Sequence, residues 1–158
     1  MKYIRVKWGM RAIADDEDYD WLSQFKWRLT PSGYVYRLDE IAPNQFLRIM
    51  MHRAILLTPH DKITDHINGN TLDNRRGNLR ICTSSQNQAN RRCTRKTPTT
   101  SRFKGVSWHA GDRRWQAKIG VNRQHIYIGE FKDETDAARA YNEAAKKYFG
   151  EFARLNPV

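Results

Sequence analysis

The sequence predicts an α+β protein: a β-β-α unit over about residues 61–92, then a three-stranded antiparallel sheet packed on one helix. Three patterns predict it. Lys62-Ile63-Thr64-Asp65-His66 and Asn78-Leu79-Arg80-Ile81-Cys82-Thr83 are short extended segments, and the turn former Asn68-Gly69-Asn70 follows the first of them. Thr83-Ser84-Ser85-Gln86 then offers a capping box, opening a helix through Asn87, Asn90 and Arg91. Further on, three segments of period two precede one of helical period.

The elements follow in order. Tyr3 to Trp8 and Tyr34 to Leu38 alternate apolar with polar or basic residues, as half-buried strands do. Between them Asp15-Asp16-Glu17-Asp18 places acids where a helix dipole favours them, ahead of Tyr19, Leu22 and Phe25 at helical spacing. Phe46 to Leu57 reads either as a strand running into a helix or as one helix. In the tail, Val106 and Trp108, then Trp115, Ala117, Ile119 and Val121, then Ile126 and Ile128 mark three strands joined near Gly111-Asp112 and Asn122-Arg123. Asp133-Glu134-Thr135 starts a helix whose face of Ala137, Ala138, Tyr141, Ala144, Ala145 and Tyr148 packs on that sheet, and Gly150 stops it. The opposite face of the sheet is left for a ligand, while Trp108 and Trp115 serve equally as core between sheet and helix.

Charge narrows the partner. The 158 residues carry 28 Lys and Arg against 17 Asp and Glu, a net +11. The excess is uneven: +2 over residues 1–60, +5 over 61–100 and +4 over 101–158. Its densest run holds Arg91, Arg92, Arg95, Lys96 and Arg102 among Thr, Ser and Pro, with no acid; such a stretch cannot bury apolar surface and reads as a basic linker, 93–102. The parts it joins are 1–92 and 103–158. Aromatic residues interleave with basic ones on both sides, which points to nucleic acid as the polyanion. No apolar run reaches the ~18 residues of a membrane span, and the start lacks the apolar stretch of a signal peptide, so no membrane partner and a cytoplasmic location are expected. The spacing of Cys82 and Cys93 fits neither a disulfide framework nor a zinc pattern.

Residues 46–92 resemble the HNH endonucleases of phage and intron-homing type. The likeness rests on His52-Arg53, Thr64-Asp65-His66-Ile67-Asn68-Gly69-Asn70, Leu72-Asp73-Asn74-Arg75-Arg76-Gly77-Asn78-Leu79-Arg80 and Gln86-Asn87-Gln88-Ala89-Asn90. The resemblance implies that Asp65 and Asn87 are metal ligands, His66 the general base and Asn78 a structural residue tying the turn together. Phosphodiester hydrolysis needs a base for water and a positive centre at phosphate and leaving oxygen, and an imidazole is substantially neutral near pH 7. A carboxylate with an amide is an oxygen-only set suited to one Mg²⁺ or Mn²⁺ per site. The last motif position holds Asn87 where the family name implies His. In a strictly extended strand Asp65 and His66 point to opposite faces, so a bend is expected there. Asn74 and Asn78 are also ordinary turn formers, and Arg75, Arg76 and Arg80 are candidate phosphate contacts.

Residues 103–156 resemble an AP2/ERF DNA-binding domain, on Phe103-Lys104-Gly105-Val106-Ser107-Trp108, Trp115 to Ile119, Tyr127-Ile128-Gly129-Glu130-Phe131 and Asp136 to Asn142. The resemblance implies DNA contacts by Lys104, Ser107, His109, Lys118, His125 and Tyr127, with Arg113, Arg114 and Arg123 in the hairpins. Several positions that hold arginine in plant members are Ser107, His109, Gly120 and His125 here, so base preference does not carry over.

The function expected is thus a metal-dependent endonuclease, phage- or mobile-element-encoded, acting in the cytoplasm of a host cell on double-stranded DNA. With one β-β-α unit and no heptad repeat, a monomer that nicks one strand is expected, a dimer being left open. The alternatives are a DNA-binding regulator with a decayed nuclease and an RNA-binding accessory protein.

Overall fold

The alternation of the first fourteen residues folds into a hairpin: β1 (Lys2–Arg5) pairs antiparallel with β2 (Arg11–Ala14). Period two sends Ile4, Val6, Ala12 and Ala14 inward and Tyr3, Arg5 and Arg11 outward. The computed structural model describes residues 1–91 and 100–158, so Arg92, Arg95, Lys96 and most of the expected linker lie outside the described residues. The chain divides into two compact units, Met1–Ser84 and Ser85–Val158. Among the described residues no helix is long and apolar enough to cross a membrane.

In the first unit, α1 (Asp16–Leu22) begins with three acids at its positive end. It stops at Leu22, short of the expected Phe25, whose ring lies outside the helix under the Arg37 guanidinium at 3.5 Å. β3 (Arg28–Leu29), β4 (Val35–Ala42) and β5 (Gln45–Met50) form a sheet in that order. β5 passes directly into α2 (Met51–Leu56), which resolves the ambiguous apolar stretch as strand then helix. β6 (Ile63–His66) and β7 (Leu79–Cys82) make the last hairpin. One core unites these pieces: Ile4, Val6, Leu22, Trp27, Val35, Met51, Ile55 and Leu79 are buried together. The expected first strand differs at its end, because the chain leaves β1 after Arg5 and turns through Trp8 in a left-handed conformation (φ 65°).

The second unit opens with α3 (Ser84–Asn90), whose first residue lies on the boundary. β8 (Val106–His109), β9 (Arg114–Val121) and β10 (Gln124–Phe131) form an antiparallel sheet with β9 central. The α+β class therefore holds. α4 (Glu134–Phe149) is capped by the Asp133 carboxylate, which accepts from the Thr135 and Asp136 amides. Its small face is buried at Ala137, Ala138, Tyr141 and Ala145, but Tyr148, expected on that face, is 42% exposed. Tyr148 lies only about 20° from Tyr141 round the helix, so its facing alone does not bury it in the last turn. The tail is pinned by Asn156, which donates its backbone N–H to Asn142 Oδ1 (2.7 Å) and accepts from the Lys104 amide (2.7 Å).

Gly105, just before β8, packs closely against the Tyr141 ring of α4. Its φ is +76°, and a Cβ there would overlap the Tyr141 ring and lie 2.6 Å from the Lys118 carbonyl oxygen. Gly105→Ala is therefore expected to cost about 2–4 kcal/mol, left-handed strain and overpacking together. Denaturant unfolding measures this, and an unchanged midpoint would contradict the packing described.

Candidate active site

The β6–β7 ladder sets the first geometry. Asp65 stands opposite Arg80 and His66 opposite Leu79, with no shift of register. Directly opposed residues share a face, so Asp65 Oδ2 accepts from Arg80 Nε (3.0 Å) and Nη2 (2.9 Å), the carboxylate buried and the guanidinium partly so. His66 leaves from the other face. Its ring lies 5.1 Å from that of His52, near edge-on, and 5.9 Å from that of Tyr34. The ladder itself supplies no bend at Asp65, contrary to the bend expected from the sequence.

The segment between the two strands is held by side chains, since few of its backbone groups meet a regular ladder. Asn78 Oδ1 accepts from the Asn68 amide (3.0 Å) while its Nδ2 donates to the Asp73 carbonyl (2.7 Å). Asp73 accepts from Asn68 Nδ2 (2.9 Å) and from Arg75 Nε (2.8 Å) and Nη2 (2.7 Å). Asn74 is fully buried: its amide donates to the Ile13 carbonyl (2.8 Å) and its Nδ2 to the Thr71 carbonyl (3.3 Å). That orientation turns Asn74 Oδ1 to His66 Nε2, 3.4 Å away. An amide oxygen only accepts, so Nε2 carries the proton and the ring lone pair lies on Nδ1.

Burial dominates the electrostatics. His52 is pushed down to about 3, by burial first and then by His66 and Arg53, and its Nδ1 has no hydrogen-bond partner among the described residues. Burial also lowers His66, opposed by the Asn74 bond and the charges of Asp65 and Asp73. Arg75 holds the Asp73 carboxyl below its ordinary range.

The expected site residues separate into groups. Arg75 and Arg80, two candidate phosphate contacts, are engaged with Asp73 and Asp65, and Arg76 grips Asp18 through Nε and Nη2, both at 2.8 Å. Asn87 is half-exposed on α3, within the second unit. Asp65, in the first unit, offers carboxylate oxygens of the kind a hard divalent cation takes, and Asn87 an amide oxygen. Arg91 is exposed. Lys104 donates its ammonium to the Arg91 carbonyl (3.0 Å) and that of Ala89. On the sheet face away from α4, His109, Lys118, His125 and Tyr127 are exposed and Ser107 is partly so. Arg113 (φ +50°) and Arg123 (φ +66°) project from the hairpin turns. The same face groups His109, Asp112 and Glu130, with ligand atoms within 4.8 Å of one another. The His109–Asp112 side-chain contact (2.7 Å) and the Gln116–Glu130 bond (2.8 Å) account for that grouping. Sequence reasoning missed Tyr34 beside His66 and the hold of Asn74 on its ring. Tyr34 gave no signal, and Asn74 looked like a turn former.

A family model described as HNH endonuclease matches residues 58–89. That span includes Asp65, His66, Asn78 and Asn87. An HNH endonuclease of Acanthamoeba polyphaga mimivirus is 31% identical over 152 residues, 95% of this chain and 76% of that protein. Plant proteins match one segment: APETALA2-like protein 2 of Oryza sativa subsp. indica is 41% identical over 59 residues, 36% of this chain and 13% of its own length. An AP2-like ethylene-responsive transcription factor of Arabidopsis thaliana is 42% identical over 58 residues, 35% of this chain and 10% of its own. With the viral relative matched over most of both lengths, and the motif residues inside the matched span, the chain belongs to the HNH endonuclease family.

Proposed function

We propose that the chain is a metal-dependent endonuclease that hydrolyses phosphodiester bonds of double-stranded DNA, nicking one strand at a preferred site. The observation that carries this reading is His66: a buried imidazole, kept neutral by its surroundings and turned by Asn74 so that Nδ1 accepts a proton from water. Asp65, oriented by Arg80, and Asn87 would hold one Mg²⁺ or Mn²⁺, which when bound supplies positive charge at the scissile phosphate and leaving oxygen. Asn78 ties the segment that carries Asn74. In this reading residues 1–92 are the nuclease part, 93–102 a basic linker and 103–158 a DNA-binding part. The outer sheet face, with Lys104, Ser107, His109, Arg113, Lys118, Arg123, His125 and Tyr127, holds the duplex, together with Arg91, Arg92, Arg95 and Lys96. A phage- or mobile-element origin and action on DNA in the host cytoplasm belong to this reading, and a relative encoded by a virus is in keeping with the former. The similarity of one segment to plant transcription factors favours the second reading, a DNA-binding regulator without cleavage.

Supercoiled plasmid with Mg²⁺ separates the two. Cutting is expected, and His66→Ala should lower its rate roughly 10²- to 10⁴-fold with DNA affinity nearly intact. Asp65→Ala and Asn87→Ala should raise the metal concentration needed. Site-selective binding with no cutting in any divalent metal would favour the regulator. Because burial lowers His66, its neutral form persists below its ordinary value; the rate should hold through pH 6.5 and fall only at more acidic pH. A fall centred at or above 6.5 would contradict the role of His66.

The product and the salt dependence give a further test. One base per chain predicts nicked circles before linear DNA at low protein concentration, and linear DNA formed directly by a species twice 18.6 kDa would show a dimer. If Lys118 and Arg123 each neutralise a phosphate, replacing both by Gln should reduce the log affinity against log salt slope by about 1.8. An unchanged slope would take the sheet face out of the interface.

A further inference from the structure

We propose that the β1–β2 hairpin is a second DNA-contacting element, which inserts the Trp8 indole at a base step of the bound duplex and places Arg5 and Arg11 on flanking phosphates. The inference rests on the endonuclease reading above and extends it to a part of the chain with no assigned role.

Three observations carry it. The first is Trp8 itself. It is the most exposed of the five tryptophans, at 73%, and stands at the hairpin tip with φ 65° and ψ 30°, beside Gly9 at φ 74°. A left-handed backbone is costly for a bulky residue and easy for glycine or asparagine, so turn formation does not call for tryptophan here. An indole left in water gives the core nothing in return.

The second is charge. Arg5 and Arg11 are directly opposed across the hairpin, a pairing in which like charges repel. Lys7 lies 5.5 Å from the Trp8 ring. Residues 1–14 contain four Lys and Arg and no acid. None of Arg5, Lys7 and Arg11 has an ion-pair partner among the described residues, whereas Arg75, Arg76 and Arg80 in the same unit are all paired. A polyanion relieves this repulsion, and one built of planar bases also gives the indole a surface to stack on, as minor-groove wedges and stacking platforms do.

The third is position. β2 is bonded to the segment that governs His66: the Ile13 amide donates to the Leu72 carbonyl and the Asn74 amide to the Ile13 carbonyl, both at 2.8 Å. Asn74 in turn meets His66. The hairpin and His66 are thereby joined through Asn74 by hydrogen bonds within the first unit.

The test uses the full-length protein and a duplex oligonucleotide of mixed sequence. Glycine suits the left-handed position, so Trp8→Gly should leave the melting temperature unchanged or raised. Duplex affinity should nevertheless fall roughly 5- to 100-fold, the scale for losing one base–aromatic stack. The indole quenching that accompanies DNA binding should shrink with it. Arg5→Gln with Arg11→Gln should reduce the salt slope by about 1.8. Equal affinity and equal quenching in Trp8→Gly, with the wild type binding and nicking normally, would overturn the hairpin's role and leave the endonuclease reading standing. A wild type that neither binds nor cuts duplex would overturn both.

Discussion

A buried amide has to be paired on both sides, and Asn74 meets that requirement by joining three parts of the first unit. Its backbone N–H closes on β2 at Ile13, its Nδ2 on the Thr71 carbonyl and its Oδ1 on His66 Nε2. An unpaired amide in that place would cost about 1–3 kcal/mol, so the network is strongly favoured as a whole. Asn68, Asp73 and Asn78 extend it along the segment between β6 and β7. A long connection whose one regular element is a short 3-10 turn, Arg76–Asn78, thereby becomes a rigid support. The neutral, oriented ring of His66 depends on that support as much as on its own strand.

The arginines divide along the same lines. Arg75, Arg76 and Arg80 face carboxylates that are themselves buried, and removing one partner of such a pair strands a charge. They belong to the frame of the site. Arg5, Lys7 and Arg11 on the first hairpin and Lys118 and Arg123 on the second unit's sheet, which have no ion-pair partner among the described residues, are exposed. Net charge alone does not make that division; the supply of nearby buried carboxylates does. The same logic separates the tryptophans, Trp27 being buried in the core and Trp8 left in water.

What was legible in the sequence was local. Asn68-Gly69, the Asp133 cap, the Asn122-Arg123 turn and the period-two tail each depend on neighbours a few positions away, and each appears where its residues place it. The ends of elements were less legible: Trp8 continued an alternation that the turn interrupts, and Phe25 continued a helical spacing that stops at Leu22. At the candidate site the motif spacing singled out Asp65, His66, Asn78 and Asn87, but their surroundings were beyond reach. Arg76 finds Asp18 across 58 positions, and His66 packs against Tyr34 and His52 from other elements. Three arginines in a basic stretch look alike until the fold brings a carboxylate to each.

The central claim is that Asn74 fixes His66 with its proton on Nε2 and its lone pair on Nδ1. Nitrogen-15 NMR of the histidine side chains in the full-length protein at neutral pH reads this directly. The account predicts one protonated, pyrrole-type nitrogen at Nε2 and one unprotonated nitrogen at Nδ1 of His66, with the Nε2 resonance displaced in Asn74→Ala. A proton on Nδ1, or an imidazolium at neutral pH, would contradict it.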